Sequence, residues 1–119
     1  MSTKVKAPVR PRVLRIILAT PMSELTAVKV AEQLGMSDST LRRRLRAENT
    51  SYRKLLEEVR RYRCDKALTR RRVGGKFLAE ELGFQQINSF YRAFTHWTGT
   101  SWRQYKRERK KKLFFSIAR

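Results

Sequence analysis

Apolar residues recur along this chain at intervals of three and four positions, a spacing that places their side chains on one face of an α-helix. Val13, Leu14, Ile17 and Leu18 form such a stripe and predict a first short helix, which Pro21 ends. No segment shows the strict alternation of apolar and polar residues that is typical of a strand. The pattern therefore predicts an all-α fold.

One helical pattern occurs twice. The first copy reads Ala31-x-x-Leu34-Gly35-Met36, Leu41-x-Arg43-x-Leu45 and Asn49-Thr50-Ser51, and the second reads Ala79-x-x-Leu82-Gly83-Phe84, Phe90-x-Arg92-x-Phe94 and Gly99-Thr100-Ser101. Each copy predicts a helix, a turn at a glycine and a second helix that an apolar stripe locks in place. The repeat predicts two helix-turn-helix units on one chain.

The residues at the expected helix ends agree with this interpretation. Side chains suited to N-caps precede four predicted helices, at Thr26, Ser37, Ser51 and Ser101. Gly35 and Gly83 can adopt the left-handed conformation that ends a helix. In the second copy we expect the helical pattern to restart at Phe77 and the second helix to open at Asn88 or Ser89.

The elements divide the chain into five predicted segments. They are a flexible basic arm (residues 1–12), a first helix-turn-helix unit (13–50), a connector helix (51–69), a second unit (70–112) and a C-terminal tail (113–119). The connector has apolar residues on more than one side, so we expect it to be buried on several sides. We expect the apolar tail, Leu113-Phe114-Phe115, to fray or to pack weakly.

The charge of the chain indicates its kind of partner. The sequence has 29 Lys and Arg residues against 10 Asp and Glu, which gives a formal net charge of +19. A basic chain of this size is expected to bind a polyanion, with nucleic acid as the first candidate and a membrane surface or an acidic protein as others. Because 40% of the residues are hydrophobic and 10% are aromatic, the chain can also build a folded core.

The residue types that carry catalysis or bind metals are scarce. Cys64 is the only cysteine, which excludes an internal disulfide and a cysteine metal cluster, and His96 is the only histidine. We expect Cys64 to be a small buried helix residue rather than a redox switch. The sequence predicts no catalytic activity, no cofactor, no metal site and no membrane span. It predicts a cytoplasmic protein.

In a helix-turn-helix unit the first helix crosses the DNA backbone, and the second, here called the reader helix, lies in the major groove. Arginine can donate to O6 and N7 of guanine together, asparagine pairs similarly with adenine, and apolar groups contact the thymine methyl. The predicted base-contacting residues are Ser39, Arg42 and Arg43 in the first copy and Ile87, Asn88, Ser89 and Arg92 in the second. A solvated basic face is the competing interpretation of the three arginines.

Other polar residues are predicted to contact phosphates, which position a protein on DNA without reading its sequence. They are Lys29, Ser37, Arg44, Arg46, Arg53, Tyr91, Thr95, Arg103 and Lys106. A connector of about 18 residues forms a rod of roughly 27 Å at the helical rise. With two turns it can roughly span the ~34 Å between successive major-groove faces on one side of B-DNA.

The second copy closely resembles the C-terminal signature of the AraC/XylS family of bacterial transcription regulators. The resemblance rests on Leu82-Gly83-Phe84, Ser89-Phe90-Tyr91-Arg92-Ala93-Phe94, Trp97-Thr98-Gly99-Thr100-Ser101 and Tyr105-Lys106. Upstream, Leu34-Gly35-Met36-Ser37, Leu41-Arg42-Arg43, Thr50-Ser51-Tyr52, Leu55-Leu56 and Arg60 resemble the first unit and the connector of that family. The resemblance covers about residues 13 to 110. It implies seven helices, two helix-turn-helix units joined by a long helix, and transcriptional control, often activation.

The chain departs from the family pattern at two places. Trp102 stands where the family usually has a proline, and Thr95 and His96 stand where a basic pair is common. Most members also carry an N-terminal ligand-binding or dimerisation domain, for which 119 residues leave no room. The chain is therefore expected to be a short stand-alone regulator or the DNA-binding end of a longer protein.

The leading hypothesis is a sequence-specific transcription regulator that binds double-stranded DNA as a monomer in this form, in the bacterial cytoplasm at the nucleoid. Dimerisation stays open if the chain belongs to a longer protein. One alternative is a non-specific nucleic-acid-binding or compaction protein, which would act through charge alone. Another is a basic helical adaptor that binds an acidic protein or an RNA polymerase subunit, and RNA polymerase is also a candidate partner of a regulator.

Overall fold

The computed structural model describes residues 7–70 and 72–118, with side chains as far as residue 110. These residues form a 3-10 turn, Met22–Glu24, and seven α-helices: α1 (Arg10–Ala19), α2 (Ala27–Gln33), α3 (Asp38–Ala47), α4 (Tyr52–Arg70), α5 (Gly75–Glu81), α6 (Ile87–Thr98) and α7 (Trp102–Ala118). No strand occurs in these described ranges, so the prediction of an all-α fold is confirmed.

The chain forms two compact units, which we call the first unit (Met1–Lys66) and the second unit (Ala67–Arg119). Helix α4 begins in the first and ends in the second. Its Leu55, Val59 and Cys64 are buried, whereas Tyr62 is exposed. Burial raises the pKa of the Cys64 thiol to about 12, with a smaller contribution from Asp65, which is consistent with the unreactive buried residue expected from the sequence.

All four predicted N-caps are present. The side-chain oxygens of Thr26, Ser37, Ser51 and Ser101 each accept a hydrogen bond, at 3.1 Å, from the backbone N–H three residues later. Such a bond satisfies one of the amide groups that a helix leaves unpaired at its start. The two turn glycines, Gly35 and Gly83, have φ values of +70° and +80°, which a residue with a Cβ rarely adopts.

Aliphatic side chains form the core of the first unit. The buried members are Val9, Val13, Ile17, Val30, Ala31, Leu41, Leu45, Leu55 and Val59. Leu18, which the sequence placed on the inner stripe of α1, is 50% exposed instead. It follows Ile17 directly, so its side chain is rotated by about 100° around the helix from the buried line through Val13 and Ile17.

The segment before α1 corrects the prediction of a flexible arm through residue 12. Helix α1 begins at Arg10, and Val9 is completely buried. The backbone N–H groups of Val9 and Arg10 donate to the two carboxylate oxygens of Glu48 at 2.8 and 2.9 Å, and the Arg10 side chain pairs with Glu58. A carboxylate at a helix start binds unpaired amides and complements the helix dipole. Residues 9–12 therefore belong to the first unit, and residues 1–6 of the predicted arm lie outside the described residues.

Aromatic side chains dominate the core of the second unit. The rings of Phe94 and Trp102 meet edge to face, with centroids 5.1 Å apart and an interplanar angle of 86°. Phe84 extends the cluster towards Phe90, at 5.9 Å between centroids. The guanidinium of Arg109 lies 5.6 Å from the Trp102 ring and donates to the carbonyl of Val73, which joins α7 to the segment before α5.

Three helix boundaries in the second unit differ from the sequence predictions. Helix α6 begins at Ile87 rather than at Asn88 or Ser89, because the extended backbone of Gln86 supplies the carbonyl that accepts the Ser89 N–H. Helix α5 begins at Gly75, two residues before the predicted restart at Phe77. Helix α7 continues to Ala118, past the predicted end at residue 112. The packing of the side chains of residues 113–115 lies outside the described residues.

Gly75 faces the aromatic cluster so closely that we expect alanine there to be destabilising. A Cβ on Gly75 would lie 2.9 Å from Trp102 Nε1 and 3.1 Å from the Tyr91 ring, whereas a Cβ on Gly74 would meet nothing within 4 Å. Overpacking of this kind costs about 1–3 kcal/mol. Gly75→Ala should lower the free energy of unfolding by that amount in urea denaturation followed by tryptophan fluorescence. Gly74→Ala is the matched control, and equal effects of the two variants would contradict this packing.

Candidate nucleic-acid interface

The first reader helix, α3, is held by one face and leaves the other exposed. Leu41 and Leu45 are buried in the first unit. Four of the side chains predicted to contact DNA are exposed on this helix, at Ser39, Arg42, Arg43 and Arg46. The turn before α3 is closed by the N–H of Met36, which donates to the carbonyl of Ala31 at 3.0 Å. The buried stripe thus fixes the helix while its polar face can enter a groove.

An acidic residue that is not among the predicted site residues lies on the same helix. The carboxylate of Asp38, the first residue of α3, forms an ion pair with the guanidinium of Arg42 one turn later. The spacing of four residues is the signal that could have indicated this pair.

The first unit holds its other predicted DNA-contacting residues in different settings. Lys29, Arg46 and Arg53 are exposed, as a phosphate contact requires. Ser37 is exposed but already caps α3. Arg44 is half-buried, and its guanidinium donates to the carbonyl of Ala7 at 3.1 Å. Arg44 thus holds the segment before α1, a role that the sequence pattern did not indicate.

The second reader helix, α6, is anchored by Phe90, Phe94 and Trp97, all buried. On its other side Asn88 and Arg92 are exposed, and Arg92 Nη2 lies 3.5 Å from the Ser89 hydroxyl. This face therefore presents an amide and a guanidinium, which suit adenine and guanine.

The flanks of this face are partly engaged within the second unit. Ile87 and Ser89 are half-buried. Tyr91 is also half-buried, with its ring 5.8 Å from that of Phe90. Thr95 is exposed, and its hydroxyl donates to the carbonyl of Tyr91. The predicted phosphate contacts of Tyr91 and Thr95 thus fall on side chains that also stabilise α6.

Helix α7 carries a row of exposed cations beside its packed face. Trp102 is buried and Tyr105 is half-buried against the aromatic cluster. The row comprises the two predicted phosphate-contacting residues and two more at helical spacing, in the order Arg103, Lys106, Arg107 and Lys110. We call these four residues the α7 basic row. Extending the helical spacing past Lys106 would have identified the last two from the sequence.

Arg60 has an environment unlike that of these exposed cations. Burial lowers the pKa of its guanidinium, which the neighbouring Tyr52 and Glu57 partly offset. Burial also raises the pKa of the Tyr52 hydroxyl. Arg60 is thus a half-buried residue of α4.

Two kinds of site are not found in the described ranges. No group of three or more His, Cys, Asp or Glu side chains there is placed to hold a metal ion. None of the helices formed by the described residues is both long and apolar enough to cross a membrane.

The chain is similar to known helix-turn-helix proteins. The family model of a helix-turn-helix domain matches residues 30–108. The chain is 29% identical over 97 residues to the HTH-type transcriptional regulator VqsM of Pseudomonas aeruginosa. The aligned region covers 82% of this chain and 30% of VqsM. It is 35% identical over 88 residues to the ornithine utilization regulator of the same organism. This aligned region covers 74% of this chain and 26% of that regulator.

The fold is also similar to solved structures. A DNA-binding transcriptional dual regulator from Escherichia coli K-12 superposes with a TM-score of 0.77 at 29% identity, over 87% of this chain and 99% of that chain. The present chain spans 26% and 30% of the two curated regulators, so the similarity concerns one domain of those proteins.

Proposed function

This chain belongs to the AraC/XylS-type helix-turn-helix domain family, and from that premise we propose that it binds specific sequences of double-stranded DNA and regulates transcription. The observation that carries the proposal is the repeated reader helix. In both α3 and α6 a buried stripe locks the helix, and polar and cationic side chains cover the opposite face. This is the arrangement with which helix-turn-helix proteins read the major groove.

The two reader helices insert into successive major-groove segments and read different bases. Arg42 and Arg43 on α3 suit guanine, because a guanidinium donates to O6 and N7 together. On α6, Asn88 suits adenine and Arg92 suits guanine. Because the polar side chains of the two helices differ, the expected binding site is asymmetric.

The remaining proposed features concern the oligomeric state, the direction of regulation, the location and a further partner. We propose that the chain acts as a monomer in this form, as an activator, in the bacterial cytoplasm at the nucleoid. RNA polymerase is a further proposed partner.

A second candidate function, non-specific nucleic-acid binding, is favoured by the net charge of +19. Selection of binding sites from a random duplex library separates the two functions. A sequence-specific regulator should recover one motif and bind it at least about 10³-fold more tightly than random DNA. Recovery of no motif would contradict sequence-specific regulation and favour the charge-driven alternative.

The selected motif also tests the placement of the two readers. We expect Arg43→Ala to relax base preference in one half of the site and Arg92→Ala in the other, each with a loss of about 1–3 kcal/mol of discrimination. Competition binding against single-base variants of the site measures this loss. Arg15→Ala, on the exposed side of α1, removes the same charge and should keep the parental preference. Parental motif and affinity in both reader variants would contradict these assignments.

A further inference from the structure

The acidic residue at the start of α3 stands in an unexpected place. The Asp38 side chain is 29% exposed and forms an ion pair with Arg42, which is 66% exposed on the face proposed to meet DNA. A carboxylate beside a reader face repels DNA phosphates. The sequence has only 10 acidic residues against 29 basic ones, so we expect Asp38 to have an effect that offsets its repulsion of phosphates.

One role of Asp38 is local and structural. A negative charge in the first turn of a helix complements the helix dipole. This effect depends only on the position of the charge in the helix and does not involve Arg42. The ion pair adds a second effect, because it restricts a long and otherwise mobile side chain to one region of the reader face.

We propose that Asp38 is a positioning residue that sets the base preference of α3 by orienting the guanidinium of Arg42. A guanidinium has five N–H donors, so it can donate to a carboxylate and still present donors to a base. Side chains that recognise a ligand discriminate best when a neighbouring group holds their rotamer. The carboxylate also offsets the charge of Arg42 and thereby weakens its competing attraction to phosphates. This inference rests on the proposed function of α3 as a DNA reader.

The second unit provides a contrast within the same chain. By the register of the repeat, the positions of Asp38 and Arg42 correspond to Ile87 and Tyr91 in α6. The Arg92 guanidinium of α6 lies near the neutral hydroxyl of Ser89. Orientation by a carboxylate is therefore expected to matter in only one half of the binding site.

The test compares Asp38→Asn and Asp38→Ser with the parental chain on the selected site and its single-base variants. Discrimination at one base pair in the α3 half should fall about fivefold or more, the lower end of what one bidentate contact provides. Affinity for random duplex should stay equal or rise, since a repulsive charge is lost. Glu24→Gln, in the first unit outside α3, carries the same change of net charge and should leave discrimination unchanged.

A double-mutant comparison separates positioning from structure. In an Arg42→Ala background, Asp38→Asn should no longer alter base preference, because the side chain it orients is gone. Thermal melting followed by circular dichroism reports the purely structural effect at the helix start. Asp38→Ser retains a residue that is well tolerated at a helix start, so it keeps the test valid if the asparagine variant folds poorly.

Two results would overturn the inference. One is unchanged discrimination at every base pair in both Asp38 variants. The other is an equal loss with and without Arg42, which would mean that Asp38 acts on a base or on the helix directly. Failure of the proposed function looks different, because the parental chain itself would then select no motif.

Discussion

Phe94→Ala should lower the free energy of unfolding of the second unit by about 3–5 kcal/mol, the usual cost of removing a buried aromatic ring. The Phe94 side chain is 2% exposed. Its ring contacts three others, with centroids 6.0 Å from Phe90, 5.1 Å from Trp102 and 5.5 Å from Tyr105. Truncation would open a cavity between α6 and α7 that these large, rigid rings cannot fill.

The tryptophans allow this loss to be measured in the second unit. The only two in the chain, Trp97 and Trp102, both belong to it, so their fluorescence in a urea titration reports that unit. Phe77→Ala is the matched control, because the Phe77 side chain is 47% exposed. Its truncation should lower the free energy of unfolding by less than about 1 kcal/mol. Similar losses in the two variants would contradict the packing of α6 on α7.

Much of the fold could be predicted because its signals are local. The N-caps at Thr26, Ser37, Ser51 and Ser101 each bond an amide three residues later, and the sequence shows that spacing directly. The buried stripes of α3 and α6 follow the helical period in the same way. The exposed polar faces of α3 and α6 could therefore be predicted as the side opposite the apolar residues.

The unpredicted features join residues that are far apart in the chain. Glu48 binds the amide of Val9 across 39 positions, and Arg44 binds the carbonyl of Ala7 across 37. No periodicity encodes such contacts, because they exist only after α1 has packed beside the end of α3. The basic composition of the first residues favoured a flexible arm, whereas burial of Val9 and the bonds to Glu48 determine the observed structure.

The two units have the same frame and different cores. The core of the first is aliphatic, around Leu41 and Leu45, whereas the core of the second adds aromatic rings, around Phe90 and Phe94, to its buried aliphatic residues. The change of core leaves the turn and the buried stripe at equivalent positions, so each reader face can change without disturbing the helix beneath it. The residues that stabilise α3 and α6, Leu41, Leu45, Phe90 and Phe94, are therefore distinct from the exposed Arg42, Arg43, Asn88 and Arg92 that we propose read bases.

The affinity for any duplex should fall by about 10³- to 10⁵-fold between about 50 and 200 mM salt, provided that about 6–10 phosphates are contacted. Each neutralised phosphate releases condensed cations, so the logarithm of affinity falls linearly with the logarithm of salt concentration. Five predicted phosphate-contacting cations are exposed, at Lys29, Arg46, Arg53, Arg103 and Lys106, while Arg44 is already bonded to Ala7. Arg107 and Lys110 extend the α7 basic row and bring the number of available cations into the assumed range.

The α7 basic row makes this expectation specific. Joint replacement of Arg103 and Lys106 by glutamine should reduce the slope of log affinity against log salt concentration by about 1.8. It should lower the affinity for the selected duplex and for random duplex by the same factor. Joint replacement of Arg61 and Lys66, exposed on α4, removes the same charge and should leave the slope unchanged. Fluorescence anisotropy titrations at several salt concentrations measure both slopes. Equal reductions in the two double variants would mean that the net charge of +19, rather than a row of defined phosphate contacts, controls binding.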